Sequence, residues 1–413
     1  MLINLYILKL PFIPTKDNYK DKPMLALDIG TEFIKAVVYK IEGNFIKIIS
    51  ASKIRQQQNA MKGGAITDIE SVVETSRVAI AEVSKILDKK EKLEHVMLGI
   101  AGEFVKGVSV LARYDRESPS EKIDEQEVRQ VMENIKAEAF EQAAKELSSD
   151  IGVDESQIIL VNANITDTYI DKFRVTNPLG FQGKTVQFNV FASFAPAIHF
   201  NALRHIADQL ELKVLAIVAE PFVVSQAYKG SKEENFGGIF IDVGGGTTDI
   251  AVVRKGGIVD TQMFAFGGRV FTKRIAADLN IDYKKAEDMK IRYSSGKLSD
   301  EVSQKVRKAI LKDIDVWING VELALSEIED IEVYPSTILL CGGGSLLPEI
   351  KQALLEYPWI QVLPFNRFPK INFLLVENCR NIVDETGVLT EASDVTPAAL
   401  ARFALEVIKE KKI

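Results

Sequence analysis

Leu25-Ala-Leu-Asp-Ile-Gly-Thr31 and Ile239-Phe-Ile-Asp-Val-Gly-Gly-Gly-Thr247 are two versions of one pattern, and their reading decides the fold. Each is an apolar run ending in Asp-x-Gly. A second apolar run follows, Ile34-Lys-Ala-Val-Val38 in one and Ile250-Ala-Val-Val253 in the other. A short turn comes next, Glu42-Gly43-Asn44 or Gly256-Gly257, and then a third run, Phe45 to Ile49 or Ile258 to Phe264. Apolar runs of this length between turn residues predict strands. Repetition at so wide a separation predicts a duplicated half rather than a short-period repeat.

The chemistry follows from that shape. Asp28 and Asp242 close nearly continuous apolar runs, where a buried carboxylate needs a positive charge or a metal-bound water as partner. Gly30 and Gly244-Gly245-Gly246 let the backbone turn tightly and approach a ligand. Consecutive N–H groups in such turns form an anion-binding hollow. Thr31, Thr247 and Thr248 add hydroxyls. Two such hairpins facing one another would clamp a polyphosphate, with the two Asp holding a hydrated Mg²⁺ between them. Either copy alone reads equally as a plain hairpin turn; the pair carries the argument.

Composition narrows the classes. A formal charge of −7 over 413 residues argues against nucleic acid as the main partner. Cys341 and Cys379 have no metal-like spacing, and His95, His199 and His205 are scattered, so neither a disulfide framework nor a His-rich metal site is expected. His199 and His205 share one expected helix, as surface or partly buried residues. No apolar run reaches the roughly 18 residues of a spanning helix. The start, Met1-Leu-Ile-Asn-Leu-Tyr-Ile-Leu-Lys-Leu-Pro-Phe-Ile-Pro14, lacks the basic region and cleavage site of a signal peptide. It reads as a peripheral membrane anchor, an extra strand, or the product of an upstream start, since Met24 directly precedes the first hairpin.

Taken in order, the chain divides as follows. Residues 1–23 are an apolar extension. Residues 24–89 and 184–235 are expected to form the first half, closed by 395–413, and residues 236–394 the second. Residues 90–183 read as an inserted α+β module, with strands at His95–Ile100, Val105–Ala112 and Ile158–Tyr169 and a charged helix near Glu125–Ser148. Inserted modules of this kind commonly carry partner contacts. Lys35, on the returning strand, reads either as a phosphate contact or as a solvated edge Lys. Asp68 is a candidate N-cap for a helix to Leu87. A strand at Lys184–Phe194 is expected to rejoin the main body. Glu220-Pro221 opens a helix at a strand end, where Glu220 either orients a water or caps the helix. Near the end, a buried strand at Thr337–Leu340 runs into Cys341-Gly-Gly-Gly-Ser345 and a helix. In that turn Gly342, Gly343, Gly344 and Ser345 would pack flat against a base or ribose.

Together these stretches resemble the actin-like ATPase superfamily. Asp28-Ile-Gly-Thr31 with Lys35 looks like its first phosphate motif, Asp242-Val-Gly-Gly-Gly-Thr-Thr-Asp249 like the second, and Cys341-Gly-Gly-Gly-Ser345 like the adenosine motif. Glu220-Pro221 resembles the connecting motif in which the Glu positions the water. Within the superfamily, Lys62-Gly-Gly-Ala-Ile-Thr-Asp68, Asn177-Pro-Leu-Gly-Phe-Gln-Gly183, Phe266-Gly-Gly-Arg-Val-Phe-Thr272 and Ala286-Glu-x-x-Lys290 are similar to the FtsA family of bacterial cell-division proteins. The module's position is shared with FtsA and with its relative PilM of type IV pili.

The resemblance implies an α/β bilobed body with ATP and Mg²⁺ in the cleft. Asp28 and Asp242 would hold the metal's waters, Glu220 or Asp242 would orient the hydrolytic water, and Glu287 and Lys290 would contact ribose or base. It implies slow ATP turnover at most, head-to-tail filaments, binding to the FtsZ C-terminal peptide, and a cytoplasmic place on the inner face of the membrane, with no nucleic-acid partner. FtsA typically ends in a linker and a membrane-binding amphipathic helix, whereas here the chain stops at Lys409-Glu-Lys-Lys-Ile413. The expectation is that the N-terminal stretch or a membrane partner takes that role, or that the protein is not a tether. The alternatives are a PilM-like pilus adaptor that binds a membrane-protein peptide, and a sugar-kinase-type or chaperone-like enzyme of the same fold.

Overall fold

The computed structural model describes residues 19, 21–102, 105–152, 154–232, 236–328 and 331–410; the apolar stretch at 1–14 and the last three residues lie outside the described residues. β1 (Met24–Ile29), β2 (Phe33–Glu42) and β3 (Phe45–Arg55) form an antiparallel meander. A small hairpin, β4 (Met61–Lys62) and β5 (Ala65–Ile66), turns at Gly63-Gly64 and leads into α1 (Ile69–Ser84). Asp68 caps α1, its carboxylate accepting the Ser71 N–H at 3.1 Å. β6 (His95–Ile100) then pairs parallel with β1.

The chain next builds a separate sheet. β7 (Lys106–Asp115), α2 (Glu125–Ile151), β8 (Ile158–Ile170), β9 (Phe173–Val175) and β10 (Thr185–Pro196) give an antiparallel sheet in the order β7-β10-β8-β9. Val128, Val131 and Ala144 of α2 share its core with Phe188 and Val190. Two expectations need correction here. His95–Ile100, read with the module, is an inner strand of the first sheet, between β1 and the later β11 (Lys213–Ala219). The strand read at Lys184–Phe194 as rejoining the main body pairs with β7 and β8 instead. Short apolar strands look alike whichever sheet they enter, and only the partner's hydrogen bonds decide it.

α3 (Ala197–Gln209), β11 and α4 (Glu220–Ala227) complete the first half. The second half repeats its plan. β12 (Gly238–Val243), β13 (Thr248–Arg254) and β14 (Gly257–Phe264) form another antiparallel meander. α5 (Gly268–Leu279), α6 (Tyr283–Ser294) and α7 (Asp300–Ser326) follow, then β15 (Thr337–Cys341), α8 (Pro348–Glu356) and β16 (Lys370–Phe373). β17 (Ile382–Asp384) crosses back to pair parallel with β3, and α9 (Val395–Glu410) ends the described chain. The sheet orders are β11-β6-β1-β2-β3-β17 and β14-β13-β12-β15-β16. In both, the strand that carries the Asp lies between its antiparallel hairpin partner and a parallel neighbour.

Burial on both faces explains the continuous apolar runs. In β1, Met24 and Ala26 face a core shared with α4 and α9, while Leu25, Leu27 and Ile29 face a core with α1 and α3. In β12, Phe240 joins the same α4–α9 core, and Ile239, Ile241 and Val243 pack outward against α5, α7 and α8. α4 and α9 therefore sit between the two sheets, and the Asp-bearing strand ends open into the cleft beside them. Among the described residues, no helix is long and apolar enough to cross a membrane.

Candidate functional site

The cleft is lined from both halves. Asp28, Gly30, Thr31 and Lys35 come from the first hairpin, and Asp242, Gly244, Gly245 and Thr247 from the second. Glu220, Glu287, Lys290, Gly342, Gly343 and Gly344 complete the expected set that faces it. The hairpins touch: a Cβ on Gly245 would lie 2.9 Å from Glu32 Cβ, and one on Gly246 would lie 2.9 Å from Thr31 Oγ1. Glycine is what permits that approach.

Three expected residues do other work. Thr248 donates its hydroxyl to the Phe266 carbonyl at 2.6 Å and accepts from Trp317 Nε1 at 3.0 Å, so it braces the second hairpin against α7. Ser345 is buried and donates to the Gly342 carbonyl at 2.7 Å, holding the glycine turn. Lys290 donates to the Gly268 carbonyl, Thr272 Oγ1 and Glu287 Oε2, each at 2.8 Å. An ammonium has three donors, so Lys290 has none left for a ligand in this arrangement.

The charges are unevenly matched. Lys35 Nζ lies 2.9 Å from Asp28 Oδ2. β2 is an inner strand, so Lys35 stands in the cleft and not on a sheet edge. Burial works against its ammonium, but Asp28, with Asp242 and Glu220, outweighs that and leaves the pKa raised. Burial pushes Glu220 well up, and the charges of Asp28, Asp242 and Asp249 add to it. Asp242 is raised by burial against the pull of Lys35, a Thr396 hydroxyl 3.1 Å from its Oδ2, and the Cys341 thiol. Asp249 is pushed up to about 7, chiefly by burial and then by Asp242, although Thr247 Oγ1 donates to it at 2.8 Å. Asp28, Asp242 and Glu220 thus act on Lys35, with Asp249 beside Asp242 and Glu220. The raised pKa values of Glu220, Asp242 and Asp249 are of the kind an added cation would lower. Among the described residues no three His, Cys, Asp or Glu form a direct metal-binding group.

The glycine turn after β15 has a separate fit. Gly342 has φ +81°, and a Cβ there would lie 2.1 Å from Asp242 Oδ1. A side chain is excluded by both the backbone and the carboxylate. A Cβ on Gly343 would meet only Ser393 Cβ, at 4.0 Å, so bare backbone faces the cleft there.

Several cleft residues were not singled out from sequence. Asp249 stands opposite Asp242 in the strand register, as Lys35 stands opposite Asp28, and the common seven-residue spacing was the available signal. Glu32 and Arg269 meet across the cleft at 2.8 Å. Lys53 faces the cleft from β3, its pKa lowered by burial and then by Lys35. Thr396 arrives from α9, far along the chain, with no local signal. Glu220 is the first residue of α4, after Ala219 at the N-cap position, and its carboxylate lies so close to β6 that a Cβ on Gly99 would clash with it. His199 lines the cleft half-buried, and His205 is exposed.

The chain is similar to known proteins. A family model for the cell division protein FtsA matches residues 239–371. The cell division protein FtsA of Neisseria meningitidis serogroup B is 26% identical over 345 residues, covering 78% of this chain and 79% of that protein. That of Enterococcus hirae is 23% identical over 401 residues, covering 91% and 86%. Among solved structures, the PilM-PilN type IV pilus biogenesis complex matches with a TM-score of 0.62 at 15% identity, covering 92% of this chain and 97% of that one. The chain therefore resembles cell division protein FtsA over most of its length and has the bilobed actin-like ATPase fold.

Proposed function

We propose that this protein binds ATP with Mg²⁺ in the cleft and serves in cell division as a filament-forming adaptor between FtsZ and the membrane. One observation carries the reading: two duplicated Asp-Gly hairpins touch across an acid-rich cleft in a chain whose relatives are cell division proteins. Mg²⁺, when bound, would supply positive charge to offset the phosphates. The amides at Gly30–Thr31 and Gly244–Thr247 would hold the phosphates, with Lys35 beside them. Asp28 and Asp242, both lining the cleft, would hold the metal through its waters. Glu220, which lines the cleft with its pKa raised chiefly by burial, would orient a water and take its proton, with Asp242 as the other candidate. The bare backbone at Gly343 would receive the base or ribose, and Glu287 would reach the same ligand while Lys290 buttresses it. Turnover is slow, because a filament adaptor uses its nucleotide as a structural state. Its place is the inner face of the cell membrane, reached directly or through a partner.

The test is co-sedimentation with ATP, Mg²⁺ and acidic-lipid vesicles, with and without FtsZ, comparing the full chain with one starting at Met24. Recruitment of FtsZ to vesicles by the full chain supports the reading, and loss of lipid binding on truncation assigns the anchor to residues 1–23. Failure of both versions to bind FtsZ overturns the division role. The likeness to PilM across 92% of the chain favours one second reading, a pilus adaptor whose module takes a membrane-protein peptide. Binding of such a peptide with no affinity for the FtsZ tail would decide for it.

A further inference from the structure

Arg269 lies in the first turn of α5, and its backbone and side chain are bonded to different halves of the molecule. Its N–H donates to the Gly245 carbonyl at 2.8 Å, and the Gly268 N–H before it donates to the Gly244 carbonyl at 2.9 Å. The start of α5 is thereby fastened to the second hairpin. The guanidinium reaches the other way. Nε donates to Glu32 Oε2 at 2.8 Å, Nη1 to the Met61 carbonyl at 2.8 Å, and Nη2 to the Thr31 carbonyl at 2.5 Å. All three acceptors belong to the first half. The Arg269 and Glu32 side chains are only 17% and 11% exposed, so solvent ions screen this pair little. Tyr283 adds a hydroxyl to the same Glu32 oxygen at 3.2 Å. The two hairpins belong to separate sheets. Among the described residues no strand pairing joins β1–β2 to β12–β13, and beside the shared packing on α4 and α9 the hairpins are tied by side chains and by the contact of Gly245 and Gly246 with Thr31 and Glu32.

We propose that Arg269 is a positioning residue, a latch that holds the first hairpin in register with the second so that both sets of amides face one polyphosphate and the nucleotide leaves slowly. The inference rests on the cleft being a nucleotide site, as proposed above. Fixing the Thr31 carbonyl fixes the peptide plane that also carries the Glu32 N–H, so the latch orients the hairpin's own donors. A lysine cannot replace it. Three separate acceptors lie around a planar fork, and an ammonium presents its donors from one atom.

The test compares wild type with R269A, R269K and E32Q. Release of a fluorescent ATP analogue, bound with Mg²⁺, is timed by chasing with unlabelled ATP. R269A and R269K are expected to release it about 10- to 100-fold faster, the loss of one or two charge-assisted hydrogen bonds. Free guanidinium at millimolar concentration should slow release from R269A and leave E32Q unchanged, which a merely structural role would not produce. E32Q removes the same tie from the other partner should R269A fail to fold. Without nucleotide, hydrogen exchange over residues 29–33 and 60–62 should quicken in R269A while the β7–β10 sheet is unaffected. If wild type binds the analogue, and R269A releases it at the wild-type rate with unchanged exchange, the latch is overturned and the nucleotide reading stands. If wild type does not bind the analogue, the nucleotide reading fails and the latch falls with it.

Discussion

The two hairpins share a backbone plan and differ in charge at one matched position. In the first, Asp28 pairs across the strands with Lys35; in the second, Asp242 pairs with Asp249. The first hairpin is neutralised within itself by an ion pair at 2.9 Å. The second places two carboxylates side by side, both with raised pKa values, and borrows help from Thr396 and Cys341. Two units of one fold thus differ at one register position, which leaves the first with an internal ion pair and the second with two carboxylates facing each other.

Breaking the internally paired copy should have the largest effect. In K35M the buried Asp28 loses its partner, and an uncompensated buried charge costs about 3–5 kcal/mol. Urea unfolding of the nucleotide-free protein reads this directly. A loss under about 1 kcal/mol would mean that Asp28 is not held by Lys35, and the contrast between the hairpins would collapse.

The second copy should respond in the opposite sense. Asp249 has its folded pKa pushed up to about 7 from an ordinary value of 3.8. Between those two values the unfolded carboxyl is ionised while the folded one keeps its proton. The contribution of Asp249 to stability therefore falls as pH rises through that window and levels off above it. D249N removes this component, so the variant should lose less stability than wild type from pH 5 to pH 8 without divalent cations. The difference should be roughly a few kcal/mol at most. Thermal unfolding across that range checks it, and parallel profiles for the two proteins would refute the raised pKa of Asp249, which burial and then Asp242 produce.

The smallest effect concerns the help that Asp242 borrows. T396V removes one hydroxyl donor from Asp242 and should cost about 1 kcal/mol, whereas T396S should keep the bond. Calorimetry of both variants sharpens the comparison. Equal losses would point to the packing of α9 and not to the hydrogen bond.

Much of this architecture was legible because it is local. Apolar runs ended by Asp-x-Gly and glycine turns name strands and hairpins, and the Asp68 cap marks α1, since these patterns involve neighbours within a few residues. The duplicated motifs also pointed to Asp28, Lys35, Asp242 and the glycine turn, all of which the fold brings to one cleft. The tertiary structure alone decided the rest. β6 and β10 entered other sheets than their place in the chain suggested, because strand partners are chosen by hydrogen bonds across long separations. Thr248, Ser345 and Lys290 carry suitable chemistry, but their polar atoms were taken by Phe266, Trp317, Gly342, Gly268 and Glu287. Glu32, Arg269 and Thr396 gain their importance only from groups more than a hundred residues away. The sequence determined which strands and turns could form and where two acidic hairpins would stand. Which side chains meet between them depends on how the two sheets pack around α4 and α9, a long-range outcome that no short stretch encodes.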